Sequence, residues 1–237
     1  MQVWWLAFQL CKSYDMQMTH AAVLTGDLIG STNAGPEAVD RAIQLLHDAA
    51  TDFAVIGKVA HPLKFTRYRG DGWQVALQSG YLSFRLTTYL LARLRASNIG
   101  LNTRIGIGIG SIASWGTRDL RNAHGTAFTN SGRALDQLGT SVGLAVLPAA
   151  DDAQIWLQAG LETLLYLSAR WSVEQAQALA VSVTRGRFEV DFKLEDTPSL
   201  VDLATTLNIS RQALSSRLAV AGEKPIMAVI RAAEATL

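Results

Sequence analysis

Apolar and polar positions along the chain predict short strands that alternate with amphipathic helices. Residues 21–25 form an apolar run typical of a buried strand, and residues 36–54 carry apolar side chains at the spacing of one helix face. Residues 64–77 then predict two strands joined by a tight turn, because the Gly-Asp-Gly sequence at 70–72 suits a hairpin. The first half of the chain therefore predicts the order strand, helix, strand, strand.

The pattern continues with a second helix and strand. Residues 83–97 place leucines on one helical stripe, and residues 104–112 alternate glycine with isoleucine, which predicts a strand with one bare face. That face either admits a ligand or packs tightly against a helix. A helix beginning near residue 125 and a strand at 141–147 complete the pattern. The prediction is an α+β sandwich with a βαββαβ core and helices on one face of a mostly antiparallel sheet.

The C-terminal part of the chain predicts a helical module, with a polar, mixed stretch at 185–195. Residues 199–221 fit a helix-turn-helix, in which Ser210 is the N-cap of the second helix. We therefore expect an N-terminal extension at 1–17, a main domain at 18–165 and a helical module at 166–237. The apolar run at 3–10 is too short to span a bilayer. It is either a short packed helix or an extension upstream of a start at Met16 or Met18.

Composition excludes several classes of function. The chain has 21 Lys and Arg against 20 Asp and Glu, so its net charge of +1 gives no overall field that would attract nucleic acid or an acidic membrane. One cysteine excludes an internal disulfide framework and a cysteine-based zinc site, which fits a cytoplasmic protein. The four histidines show no ligand spacing. A polyanionic substrate would therefore need a local cluster of charge.

Two carboxylates are the candidates for chemistry. Asp27 follows the first strand and Asp71 occupies the hairpin turn, 71 − 27 = 44 residues later, so neighbouring strands would bring them together. Carboxylate oxygens suit Mg²⁺ or Mn²⁺, although an aspartate in a hairpin also serves ordinary turn chemistry. The intervening loop contains Gly30, Ser31 and Thr32, which offer backbone N–H groups and two hydroxyls to phosphate oxygens.

Four segments of the sequence together resemble the class III nucleotidyl cyclases. They are GDLIGST at 26–32, RYRGDGWQVAL at 67–77, RIGIGIGSI at 104–112 and GTAFTNSGRAL at 125–135, in the family's order and at about its spacing. Within the family, these sequence motifs are similar to those of microbial SatD-like proteins and of the pyrimidine cyclases of Pycsar antiphage systems. The resemblance covers roughly residues 20–148 and implies a ferredoxin-like fold.

The resemblance implies roles for individual residues. Asp27, Asp71 and the carbonyl of Leu28 would hold two divalent cations, Mn²⁺ or Mg²⁺, beside a nucleoside triphosphate. Arg133 would stabilise charge on the α-phosphate. Because the family shares each site between two subunits, one copy of each motif implies a homodimer with composite sites. The chain departs from the family pattern at Thr129, where asparagine is expected, and at Ser31, where an aromatic residue is expected.

The family's base-reading positions fall on Arg67 and Asn122, which match neither familiar purine pair. Arginine only donates hydrogen bonds, so it would favour a carbonyl acceptor on uracil or guanine. The order of expected substrates is therefore UTP, GTP and ATP. The alternative is that Arg67 is a solvated strand arginine.

Two functions from different classes follow. The first is an enzyme that makes a cyclic nucleotide, cyclic UMP as an antiphage signal, or a purine product if GTP or ATP is used. The second is a DNA-binding regulator that senses a nucleotide. Residues 171–237 carry 7 Lys or Arg and 8 Asp or Glu, a net charge of −1. Since DNA affinity depends largely on phosphate neutralisation, DNA is the less favoured partner, and no membrane partner is expected.

Overall fold

The computed structural model describes residues 20–59, 63–141, 143–147, 151–185 and 198–237. The predicted N-terminal extension at 1–17 lies outside them. Within the described ranges the sheet has five strands, in the order β2-β3-β1-β4-β5. They are β1 (Ala21–Ile29), β2 (Leu63–Arg67), β3 (Gly72–Leu77), β4 (Asn102–Gly110) and β5 (Leu144–Leu147). All pairings are antiparallel except that of β5 with β4. The predicted α+β class and ferredoxin-like βαββαβ order are confirmed.

The helices also follow the predicted order. They are α1 (Ser31–Ala34), α2 (Pro36–Ile56), α3 (Ser83–Ala96), α4 (Thr126–Gln137), α5 (Asp151–Ser168), α6 (Val173–Val183), α7 (Leu200–Thr206), α8 (Arg211–Ala221) and α9 (Glu223–Thr236). Within the described ranges, none of them has the length and apolar character needed to cross a bilayer. One boundary differs from the prediction: β1 extends to Ile29, so Asp27 lies within a strand that has neighbours on both sides.

One face of the sheet, here called the apolar face, carries the main core. Leu24, Val75 and Ile107 project from three adjacent strands into the same buried cluster as residues of α2 and α3. Phe53 of α2 and Leu90 of α3 are both fully buried there. Strand alternation places every second residue of β1, β3 and β4 on this face.

The opposite face, here called the glycine face, is where β4 presents Gly106, Gly108 and Gly110. A Cβ at Gly106 or Gly108 would collide with the α4 backbone, at Ser131 and Leu135 for Gly106 and at Ala127 and Ser131 for Gly108. Helices therefore cover both faces, and the prediction of helices on one face is wrong. The alternation of glycine and isoleucine indicates tight helix packing, one of the two interpretations that the sequence left open.

The C-terminal helices pack onto the main domain. Arg85 of α3 donates to both carboxylate oxygens of Glu234 on α9, at 2.6 and 3.1 Å, and to the carbonyl of Val183 at 2.7 Å. Residues of α6, α8 and α9 belong to the same core cluster as the apolar face. The helix-turn-helix is present as α7 and α8, and Ser210 caps α8. The predicted domain boundary after residue 165 falls inside α5.

The close contact between α4 and β4 gives a stability prediction. Replacing Gly108 by alanine forces α4 away from the sheet and should lower the free energy of unfolding by about 1–3 kcal/mol in urea denaturation. Gly132→Ala is the matched control, because a Cβ there meets nothing within 4 Å. It lies inside α4, where alanine is the better helix former by up to about 1 kcal/mol. Equal stability of the two variants would contradict the packing described above.

Candidate functional site

The structure brings the backbones of Asp27 and Asp71 together at one end of β1 and β3. Asp27 on β1 lies between Gly72 on β3 and Arg104 on β4 in the strand register. The N–H of Leu28 donates to the carbonyl of Asp71 at 3.3 Å, which holds the hairpin turn against β1. Two residues that are 44 positions apart in the sequence thus become neighbours through ordinary strand pairing.

Asp27 is held by an arginine from the adjacent strand. Arg104 donates from Nε to Oδ1 at 2.6 Å and from Nη2 to Oδ2 at 2.5 Å, a bidentate pair. Hydrogen bonding to Asp27 raises the pKa of the Arg104 guanidinium; burial opposes this, and the charges of Asp27, Asp136 and Asp71 add to it. Arg104 therefore stays charged and partly balances the two carboxylates.

Asp71 is oriented by the loop that follows β1. Ser31, the first residue of α1, donates its hydroxyl to Oδ2 of Asp71. Gly30 precedes it with φ 83°, a conformation that favours glycine, and this turn directs Ser31 toward the hairpin. The other carboxylate oxygen of Asp71 accepts no hydrogen bond from a described residue.

A hydroxyl on the apolar face fixes the backbone behind the carboxylates. Thr103 donates to the carbonyl of Asp27 at 2.7 Å and accepts from the indole Nε1 of Trp73 at 3.2 Å. The Trp73 ring lies so close to Gly26 that a Cβ there would approach it to 2.5 Å. Arg104 thus holds the side chain of Asp27, and Thr103 holds its backbone carbonyl.

The donor set suits a divalent cation with one condition. The described residues contain no group of three His, Cys, Asp or Glu side chains, so protein alone would not enclose an ion. Mg²⁺ and Mn²⁺ need fewer protein ligands, because they retain water and bind substrate phosphates. Asp27, Asp71 and the carbonyl of Leu28 fit that requirement once Arg104 leaves the Asp27 carboxylate.

One hydroxyl of the predicted phosphate-binding loop, residues 30–32, already forms a hydrogen bond within the chain. The hydroxyl of Ser31 is bonded to Asp71, while Thr32 is exposed in α1. Within one chain, then, Ser31 orients a carboxylate rather than offering its hydroxyl to a phosphate.

Arg67 does not join the carboxylates. Its Nη1 donates to Asp40 of α2 at 2.8 Å and its Nε to the carbonyl of Gly70 at 2.7 Å. The side chains of Arg67 and Asp40 are 42% and 63% exposed. An ion pair this exposed is worth about 0–1 kcal/mol, so Arg67 can leave Asp40 at little cost.

Asn122 lies at the end of a short 3₁₀ turn and is exposed. Two residues of β2 anchor the loop that carries it. The Lys64 ammonium donates to the carbonyls of Trp115 and Thr117 at 3.2 and 3.3 Å, and the Thr66 hydroxyl accepts from the N–H of Leu120 at 2.9 Å. The loop is therefore fixed to the same hairpin that carries Asp71.

Thr129 and Arg133 are exposed on α4. Thr129 makes a long contact of 3.5 Å with the carbonyl of Gly125, and Arg133 forms no ion pair with a described residue. The structure of one chain does not place Arg133 against Asp27 or Asp71.

Sequence reasoning missed Arg104 and Thr103. The signal for Arg104 was present, because it precedes the Gly106–Gly108–Gly110 series at the same period of two and so shares the bare face. Its pairing with Asp27 depends on the register between β1 and β4, which the sequence does not state.

No family model and no curated protein matches the chain. Among solved structures, it is similar to a dimeric guanylyl cyclase domain of the RhoGC fusion protein from the aquatic fungus Blastocladiella emersonii, with 14% identity, 54% of this chain and 79% of that chain covered, and a TM-score of 0.41. A second similar structure is that of adenylate cyclases from Trypanosoma brucei, with 13% identity, 54% of this chain and 73% of that chain covered, and a TM-score of 0.38. The chain is also similar to a bacterial light-regulated adenylyl cyclase, with 14% identity, 65% of this chain and 81% of that chain covered, and a TM-score of 0.40. Likeness at this level carries no argument about this chain's function.

The Arg104 pair generates a prediction about metal binding. Arg104→Gln removes a cation that competes for both Asp27 oxygens, so Mn²⁺ should bind about tenfold more tightly in calorimetry without nucleotide. Arg41→Gln, on the exposed surface of α2, is the charge-matched control and should leave the affinity unchanged. Unchanged or weaker Mn²⁺ binding by Arg104→Gln would show that the arginine does not compete with an ion.

Proposed function

We propose that this protein is a metal-dependent nucleotide cyclase that converts a ribonucleoside triphosphate to a 3′,5′-cyclic nucleotide and pyrophosphate. The observation that carries the proposal is the strand pairing that brings Asp27 next to the turn of Asp71, with Arg104 paired to Asp27 and close enough to Asp71 for that charge to raise the pKa of Arg104. Two carboxylates beside a cationic side chain suit a substrate that brings both phosphates and metal ions. The motif resemblance supports the same reaction.

The chain's own residues would act by holding and orienting groups. Asp27, Asp71 and the carbonyl of Leu28 would bind the cations, and Ser31 keeps Asp71 in one orientation. Arg104, released from Asp27, would then lie within reach of an anionic phosphate oxygen. When bound, the cations would acidify the ribose 3′-hydroxyl and neutralise the triphosphate.

The reaction balances without an additional reactant. The 3′-oxygen forms a bond to the α-phosphorus, the bond from that phosphorus to the bridging oxygen of the β-phosphate breaks, and pyrophosphate leaves. The proton of the 3′-hydroxyl passes to solvent. Arg133 is suited to stabilise charge on the α-phosphate because its guanidinium is exposed and unpaired among the described residues.

The exposure of Arg133 supports a homodimer. Since one chain does not place it against the carboxylates, a second copy would supply it, and each dimer would contain two composite sites. Thr129 and Asn122 are exposed like Arg133 and would contact the nucleotide from that second copy.

UTP is the proposed substrate, followed by GTP and ATP. The preference rests on Arg67, which would leave Asp40 to donate to a carbonyl of the base. The product, cyclic UMP, would act as a second messenger in antiphage defence inside the cytoplasm, a role proposed from the motif resemblance alone.

The first test is direct conversion of substrate. The purified chain, incubated with each ribonucleoside triphosphate and Mn²⁺, should release a cyclic nucleotide detectable by mass spectrometry, most rapidly from UTP. Asp71→Asn should lower turnover by at least about 100-fold, since it weakens cation binding. Asp48→Asn, an exposed carboxylate on α2, is the control and should retain activity. Full turnover by a folded Asp71→Asn protein would refute the assignment.

The second test addresses the composite site. Asp71→Asn and Arg133→Ala should each be inactive alone, because each removes one half of every site. An equal mixture should recover about a quarter of wild-type turnover, since half of the dimers are mixed and each has one intact site. Mixed dimers that are detected by native mass spectrometry and yet remain inactive would place both residues in the same subunit.

The second candidate function is a DNA-binding regulator. The observation in its favour is the exposed polar surface of α8, with Arg211, Gln212, Ser215 and Ser216 on it. The net charge of −1 over residues 171–237 weighs against it. Absence of nucleotide turnover by the wild-type chain, together with sequence-specific DNA binding, would favour this candidate.

A further inference from the structure

A pocket lies behind the carboxylates, on the apolar face of the sheet. It has a volume of about 460 Å³ and is lined by residues of α3, α5 and the first two positions of β4. Leu91, Leu94 and Leu165 give it an apolar interior. This size is typical of sites that enclose a small organic molecule.

The rim of the pocket carries two opposite charges. Arg95 donates its Nε to the carbonyl of Trp171 at 2.6 Å, and its terminal amino groups have no hydrogen-bond partner among the described residues. Glu162 on α5 forms no ion pair or hydrogen bond with a described residue. The two charged groups border one pocket and remain separate, so both are available to a ligand.

The pocket reaches the candidate site through Thr103. This residue lines the pocket and donates to the carbonyl of Asp27 at 2.7 Å. Arg104, the next residue, projects to the other face of the sheet because strand side chains alternate. A molecule in the pocket would therefore lie on the opposite side of the sheet from the Asp27 side chain and beside the residue that bonds the Asp27 carbonyl.

We propose that this pocket binds a zwitterion with an apolar body, the chemistry of a free amino acid that has a large apolar side chain. Its carboxylate would pair with Arg95, its ammonium with Glu162, and its side chain would contact the three leucines. Occupancy would hold Thr103, and through it the Asp27 carbonyl, in place.

Binding is measured on the full chain by calorimetry with L-phenylalanine, L-leucine and L-tryptophan, without nucleotide or metal, so the result is independent of the proposed reaction. 3-Phenylpropionate lacks the ammonium and 2-phenylethylamine lacks the carboxylate. At least one of the three amino acids should bind. 3-Phenylpropionate and 2-phenylethylamine should each bind about tenfold more weakly than L-phenylalanine.

Two variants locate the site. Glu162→Gln should weaken amino-acid binding about tenfold, because it removes the ammonium's partner. Ala169→Phe, at the exposed rim, should abolish binding by filling the mouth. Glu37→Gln, an exposed carboxylate on α2, is the control. No heat of binding for any amino acid at millimolar concentration, or binding that survives Glu162→Gln and Ala169→Phe, would overturn the proposal. Equal binding of 3-phenylpropionate would overturn the zwitterion chemistry.

Discussion

The register of β1 against its two neighbours is the constraint on which the rest of the structure depends. It places Asp27 opposite Arg104 on one side and opposite Gly72, next to Asp71, on the other. Because side chains alternate along a strand, a slip of one residue would turn Asp27 into the apolar core and expose Leu28. Burial of Leu28 and the Trp73 ring against Gly26 oppose such a slip. The core of the apolar face thus fixes the chemistry of the glycine face.

Like charges at this edge require a counter-charge. Asp27 and Asp71 carry two negative charges on adjacent backbone segments, and Arg104 supplies one positive charge. The side chains of Asp27 and Arg104 are 26% and 20% exposed, which strengthens their pair relative to a surface pair. A divalent ion would compete with Arg104 for the same oxygens. With Arg104 alone the two carboxylates are partly balanced, and a divalent ion in its place would balance them fully.

Local pattern predicted much of the fold because each element has its own signal. The Gly-Asp-Gly turn, the alternation in β4 and the Ser210 cap identified a hairpin, a strand and a helix that the structure contains. What the sequence did not predict depends on contacts between distant elements. The pairing of Arg104 with Asp27 requires the register of β1 and β4, and the contact of Arg67 with Asp40 requires the position of α2. The prediction that all helices lie on one face failed for the same reason, because α4 packs on the other face.

The C-terminal helices are joined to the main domain by a shared core and by a buried ion pair. The Arg85–Glu234 pair is largely buried, with side chains 10% and 22% exposed. Removing one partner of such a pair leaves a buried charge, at a cost of about 3–5 kcal/mol, so the pair resists separation of α9 from α3. Helix α5 lines the pocket behind Thr103 and also packs against α9. Helix α5 and the first residues of β4 thus border that pocket from two sides, and α9 supports α5 from behind.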